Sequence, residues 1–430
     1  MFARVKIGRV PASALFIVII IALVIGIICS SLIFISYYYK KQLADNFFAK
    51  QNQLNFDSGM QLLLHAPNYI KNNSTLTFDL FDQQTDSVTI ARTNWGVWEV
   101  GRVRAFYRNV DYGRAFFFGS SLDSSQLCAI YLADYSRPLS VAGNTRIVGD
   151  CFLPESGVKM AYIEGQYFGG DSKLIQGKIK KSKPTLPQIN LNLLAPIAKV
   201  LQSKITSMGD SLSFAPFHNE DSTIVSFSDT TLHIHNKNRV TLPSKTMKGN
   251  IVLYSDTLVE IEADQVLDGI IIIASAIKVK KGFTGKLQLF AKDSIIIEED
   301  CTLEYPSALG VFKVDYKVMQ PFIGIGKKSV VNGLVFTYQN PDVQDLQQTN
   351  IVIHANAIVT GLVYCDGFLD VKGTIKGCAM CNKFILKTPS TIYENHLLNA
   401  TINSTQLSKY YVMPNVFKND NTKKLMQWVD

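Results

Sequence analysis

Three segments in the distal half of the chain begin with glycine and repeat one pattern of side chains. They are Gly333-Leu-Val-Phe-Thr337, Gly361-Leu-Val-Tyr-Cys365 and Gly377-Cys-Ala-Met-Cys381: glycine, then apolar or small residues, then a large one. The second and third begin 16 residues apart and the first and second 28 apart. The surplus of 12 is the length of the polar stretch Gln339–Asn350, which is expected to protrude as one loop and meet partners. Leu253-Tyr-Ser-Asp-Thr and Leu289-Phe-Ala-Lys-Asp match at a separation of 36, with Ile271 to Ala276 between them as a middle rung. Repetition of this kind marks stacked units, each with an apolar face that it cannot bury alone. Runs such as Gly269-Ile-Ile-Ile-Ile-Ala274 suit strands covered on both faces. The pattern predicts a parallel β-solenoid, β-helix-like, with a sandwich of antiparallel sheets as the alternative for the same strands.

The start of the chain is constrained differently. From Ala12 to Tyr39 no side chain is charged, and Leu15–Ile35 is almost continuously aliphatic. About 20 apolar residues in a helix cross the hydrocarbon core. A cleaved signal has a shorter apolar run and a small-residue cleavage site, whereas bulky Ile27 and Ile28 precede Cys29. The segment therefore reads as an uncleaved anchor. Arg4, Lys6 and Arg9 before it, and the length of chain after it, favour a cytoplasmic N-terminus and an exported bulk. Beyond it, Leu43, Phe47, Leu54, Met60, Leu63 and Leu64 recur at loosely helical spacing with no Pro before Pro67. One helix from Pro11 to His65 is the expectation, with a separate short helix on the first soluble domain as its equal rival.

An apolar half-helix running into an amphipathic half and then a β-rich head resembles the type IV pilin-like proteins, minor pilins especially. Asn55-Phe56-Asp57-Ser58-Gly59-Met60 is similar to the small-residue patch of such spines. Gly8 precedes the span, but no Phe-Thr-Leu follows and no Glu stands at the start of the apolar run, so major-pilin processing is not implied. The repeats resemble bactofilin-like and hexapeptide-type solenoids over about residues 140–180 and 225–390, carried by the glycine-led segments above. Together these resemblances imply an anchored assembly component.

The chain then divides as follows: a cytoplasmic stub 1–11, a transmembrane helix 12–39 and a helical stalk 40–70. A β-rich meander over 75–138 follows, holding Asp86-Ser-Val-Thr-Ile-Ala-Arg92, Trp95–Tyr107 and Ala115–Gly119. A first solenoid-like segment spans 139–185, where Gly143-Asn-Thr-Arg-Ile-Val-Gly-Asp150 has the repeat texture. An inserted helix 186–210 carries Leu191, Leu194, Ile197, Ala198, Leu201 and Ile205 at helical spacing, capping or flanking the coil. The main solenoid is 224–390 and a polar C-terminal cap 391–430.

Candidate chemistry reduces to a few clusters. Of seven cysteines, Cys29 lies in the span; Cys128, Cys151, Cys301, Cys365, Cys378 and Cys381 are an even number that permits disulfides without revealing their pairing. Cys365 and Cys381 hold equivalent repeat positions and should stack about 4.8 Å apart. Cys378-Ala-Met-Cys381 invites a redox or zinc reading, with Cys365 and His354 as further ligands, but its place in a β repeat favours packing or a structural disulfide. His233-Ile-His235 reads as an exposed strand, and Ser275-Ala-Ile-Lys278 as a coincidental acyl-enzyme tetrad. Glu260 with Glu262, and Glu298, Glu299 and Asp300, are the paired acids that glycoside chemistry would require. With no basic partner foreseen on a neighbouring rung, they read as a solvated face. Trp95, Trp98, Tyr107 and Phe116 to Phe118 read as core rather than a carbohydrate platform, and the sequons at Asn72, Asn73, Asn399 and Asn403 as chance.

No catalytic, cofactor-binding or metal-ligating residue is assigned, and no cofactor. With 47% hydrophobic and 18% charged residues the chain is not disordered, and a net charge of +8 without a basic run gives no reason for nucleic acid. The expectation is a mainly β, non-enzymatic, single-span structural or assembly protein of the bacterial envelope. Its partners are the lipid bilayer through one helix, other proteins or copies of itself, and polysaccharide in the rival reading of a carbohydrate-active or glycan-binding head. A membrane-tethered polymerising scaffold is the other rival.

Overall fold

The computed structural model describes residues 12–65, 70, 72–80, 86–107, 110–121, 128–171, 173–203, 214–215, 221–236, 240–314, 320–339, 348–417 and 423–429. Three expectations lie wholly or partly outside them: the stub 1–11, the loop expected over 339–350 at 340–347, and the inserted helix expected to 210 beyond residue 203. The chain is mainly β, with two α-helices among the described residues: α1, Ala12–His65, and α2, Leu191–Gln202. It forms two compact units: residues 1–60, 77–89 and 103–113 in the first, and 61–76, 90–102 and 114–430 in the second.

In the first unit, α1 is continuous through the expected span and stalk, so the long-spine expectation holds over the rival short helix. Its full 54 residues reach about 80 Å at 1.5 Å per residue. Its apolar part has a mean hydropathy of 3.2 and is bare of protein contact, long and apolar enough to cross a membrane. Further along, Asn52, Asn55 and Phe56 are buried. Asn52 donates to the Val110 carbonyl at 3.1 Å and Asn55 to the Asp86 carboxylate at 2.6 Å. The Phe56 ring meets Tyr112 edge-on at 5.0 Å, and Phe48 lies 5.4 Å from Tyr107. The expected small-residue patch is thus a docking surface built from Asn55 and Phe56.

The second unit is dominated by parallel strands whose register can be followed residue by residue. Ser307, Gly333, Gly361 and Gly377 are successive partners. Leu253 pairs with Ile272, and Ile272 with Leu289, so the expected middle rung lies where the separation of 36 placed it. One column runs Ile234, Leu253, Ile272, Leu289, Leu309, Val335, Val363, Ala379, Ile130, Cys151. All ten are buried in one interior cluster. Each strand buries one face only if neighbours above and below do the same, so the column forms as a whole. At Gly333, Gly361 and Gly377 the backbone has φ of +143°, +135° and +149°. A Cβ on any of them would overlap the carbonyl oxygen of the preceding partner, which is why glycine opens each repeat.

The chain's order is not the sheet's order. The Thr374–Lys387 strand pairs with Ile130–Leu132, then comes Cys151–Leu153, then Ile179–Lys181. The early segment therefore lies beyond the last strand of the main body. The polar tail, expected as a cap, supplies strands to the same region. Thr401–Asn403 pairs in parallel with both the 374–387 strand and Arg146–Val148, and His396–Leu398 pairs with Leu139–Ala142. The unpaired backbone groups of the 374–387 edge take these partners because an open edge leaves donors and acceptors unmet. The tail ends as Lys423–Trp428, antiparallel to residues 116–120.

The outer sheet face is buried too. Ile271, Ile273, Phe290, Leu334 and Phe336 share a second cluster with Trp95, Val97, Trp98, Phe117 and the α2 residues Leu193, Leu194, Ile197 and Leu201. So α2 flanks the sheet and does not cap it. Trp95 and Trp98 are core, as expected, and the aliphatic runs are covered on both faces.

Candidate functional site

A β-strand sends alternate side chains to opposite faces, and this decides the fate of most expected constellations. Cys378 and Cys381 are three residues apart, so Cys378 enters the outer cluster and Cys381 the interior one. They cannot act as a redox pair. Cys365 and Cys381 are register partners, as the repeat predicted, but Cys365 Sγ donates to the Phe368 carbonyl at 3.0 Å. His354 lines a groove with Glu298 and Lys281, away from both sulfurs. No group of three or more His, Cys, Asp or Glu able to hold a metal occurs among the described residues. All described cysteines are free thiols. Burial pushes the Cys151 thiol up to about 12 and raises Cys381 well above its ordinary range.

Four of the five paired acids have a lysine within 4 Å, contrary to the expectation. Glu260 and Lys280 lie 2.9 Å apart, as do Glu298 and Lys278; Lys281 stands 3.4 Å from Asp300 and 3.8 Å from Glu299. The sequence hid this because strand register, not spacing along the chain, brings them together. The Lys278 ammonium and the Lys281 backbone N–H hold the Glu298 carboxyl below the usual range. An ionised, paired carboxylate is a poor general acid. The face is a ladder of ion pairs.

The histidines are half-buried rather than exposed. His233 Nδ1 lies 3.0 Å from the Tyr254 hydroxyl, and His235 Nε2 is 3.4 Å from Asp256. Ser275 donates to the Asp256 carbonyl at 2.7 Å, while Lys278 is engaged by Glu298. Strand geometry gives that serine and lysine separate partners. Asn403 accepts from the Thr405 backbone at the start of a 3₁₀ turn, a structural role.

Two features had no sequence signal. A buried charge cluster joins Arg92, Glu99 and Lys423: Arg92 bonds Glu99, Lys423 Nζ stands 3.3 Å from Glu99 and donates to Ser120 at 3.2 Å. Lys423 lies more than 300 residues beyond Arg92 and Glu99, so only the paired strands reveal it. The second is a groove of about 430 Å³ lined by Tyr135, Tyr338, Tyr364, Asp366, Asn382 and Gln188 among others. Asn382 donates to Asp366 at 2.9 Å, and burial raises the Asp366 carboxyl above its usual range.

No family model matches the chain, and no curated protein matches it. Among solved structures, the competence-associated pilin ComZ from Thermus thermophilus is similar over 89% of this chain and 97% of that one, at 8% identity and a TM-score of 0.27, below the level of a shared fold.

Proposed function

We propose that the chain is a non-enzymatic, single-span structural component of the bacterial cell envelope, set in a pilus-like or secretion-associated assembly. Its N-terminus is cytoplasmic, the remainder is exported, and the parallel body is a β-solenoid that works through its surfaces. The observation that carries this reading is α1: a bare apolar stretch that continues without a break into Asn52, Asn55 and Phe56, which are buried on strands. The uninterrupted helix suits a part held at a fixed distance from a bilayer. The ion-paired acids support surface work over catalysis.

The test is expression of the full chain in a bacterial host. Carbonate extraction should leave it in the membrane, and protease added outside the inner membrane should digest a tag placed after Asp430. A soluble chain, or a protected tag in intact spheroplasts, would overturn the anchor or the orientation respectively. Photocrosslinkers at Leu15 to Ile35 should then trap other membrane proteins of the envelope or further copies.

One observation favours a second reading, a glycan-binding head. The groove at Tyr135, Tyr338 and Tyr364 combines aromatic faces with Asp366, Asn382 and Gln188, the mixture that sugar rings and hydroxyls engage. Affinity electrophoresis against a polysaccharide panel separates the readings: retardation lost in Tyr135→Ala supports the groove, and none with any polysaccharide removes it.

A further inference from the structure

Four of the six buried cysteines, Cys151, Cys301, Cys365 and Cys381, line the interior cluster. The other two, Cys128 and Cys378, lie together in the outer cluster with their sulfurs 3.2 Å apart. They are 2% and 7% exposed, so little solvent reaches either. They also sit where the chain returns on itself. The Ala379 backbone N–H donates to the Ala129 carbonyl at 2.9 Å, and Ala379 to Cys381 pair with Ile130 to Leu132. This is the seam that joins the early segment to the last strand of the main body, and nothing covalent spans it.

We infer that Cys128 and Cys378 are a disulfide-forming pair that staples this seam. Each thiol loses a hydrogen, one sulfur–sulfur bond forms, and the two electrons and two protons pass to a disulfide oxidant such as glutathione disulfide, which leaves as two thiols. The exchange runs through a mixed disulfide on one of the two cysteines. The closed loop holds the intervening 249 residues, including most of the parallel sheet, so the link restricts the unfolded chain strongly. The bond closes as residues 128–132 dock. Afterwards both sulfurs are shielded, and a thiol reductant reaches them only when the seam opens. Its hydrogen bond with Cys128, together with burial, holds the Cys378 thiol well above its ordinary range, which slows attack once the seam has shut.

The inference does not depend on the export proposed above, because the oxidant is supplied. The full chain in detergent is unfolded in reductant, then refolded in a glutathione redox buffer, alkylated and digested without reduction. A peptide linking Cys128 to Cys378 is expected in most of the protein, with Cys301, Cys365 and Cys381 alkylated after denaturation. Melting should rise by several degrees relative to the reduced chain. Cys151→Ser should keep the linked peptide. Cys128→Ser and Cys378→Ser should abolish it and melt alike, and the double variant should melt no lower than either. Free Cys128 and Cys378 in oxidised, folded wild type, or a dominant link from either to Cys151, would overturn the proposal.

Discussion

Gln288, on the outer face of the parallel sheet, clasps the turn at Gly96. Its carboxamide oxygen accepts from the Val97 N–H at 2.9 Å, and its nitrogen donates to the Trp95 carbonyl at 2.9 Å. Gly96 has φ of +61°, and a Cβ there would overlap the Gln288 oxygen. Replacing Gln288 by Leu leaves a buried donor and a buried acceptor unpaired, at a cost of about 1–3 kcal/mol for each. Gly96→Ala should destabilise more than Gly157→Ala, whose φ is also positive at +69° but whose Cβ meets nothing within 4 Å. Denaturant unfolding of the three variants checks the order.

The glycine column gives the sharpest test of the stack. A Cβ at Gly361 would overlap both the Gly333 carbonyl oxygen and the Tyr411 hydroxyl, which itself donates to that carbonyl at 3.0 Å. Gly361→Ala combines backbone strain with displacement of the neighbouring strand and should cost about 3 kcal/mol or more. Gly282→Ala, with φ of +85° but open space around it, should cost much less. Equal melting temperatures for the two would contradict the register.

The Arg92, Glu99 and Lys423 cluster predicts an asymmetry. Glu99→Gln leaves two cations buried side by side and should cost about 3–5 kcal/mol. Lys423→Met removes one charge of a surplus and keeps the Arg92–Glu99 bond, so its cost should be smaller. Desolvation lowers the Lys423 pKa below its ordinary value. The folded state then releases its proton at lower pH than the unfolded state, so this group's contribution rises with pH up to the ordinary lysine value. Stability measured towards pH 10 should show that rise in wild type and lack it in Lys423→Met.

On α1, Asn55 donates to the buried Asp86 carboxylate, its only hydrogen-bond donor among the described residues. Asn55→Ala should cost about 1–3 kcal/mol and raise hydrogen exchange in residues 86–89, while exposed Asp57→Ala should change neither. Unchanged exchange in Asn55→Ala would mean that the helix does not support these strands.

The apolar column was legible because it is a local pattern repeated. Gly333, Gly361 and Gly377 each need a backbone that other residues resist, and the large residue three places on must find the same layer. The Cys365 and Cys381 pairing follows from that repeat alone. The continuous helix was half legible: absence of Pro allowed it, but nothing in the spacing distinguished it from two pieces.

What the amino-acid sequence determined by itself was periodicity: an uncharged stretch long enough for a bilayer, and strands with two apolar faces that stacking alone can bury. These are properties of neighbours along the chain, written in local composition. What only the tertiary structure decided was adjacency between distant segments: residues 128–181 beyond the 374–387 strand, Lys278 beside Glu298, Lys423 beside Glu99, Cys128 against Cys378. Such contacts arise from the return path of the backbone. That path is chosen by the burial of the whole sheet at once, and no short stretch of residues encodes it.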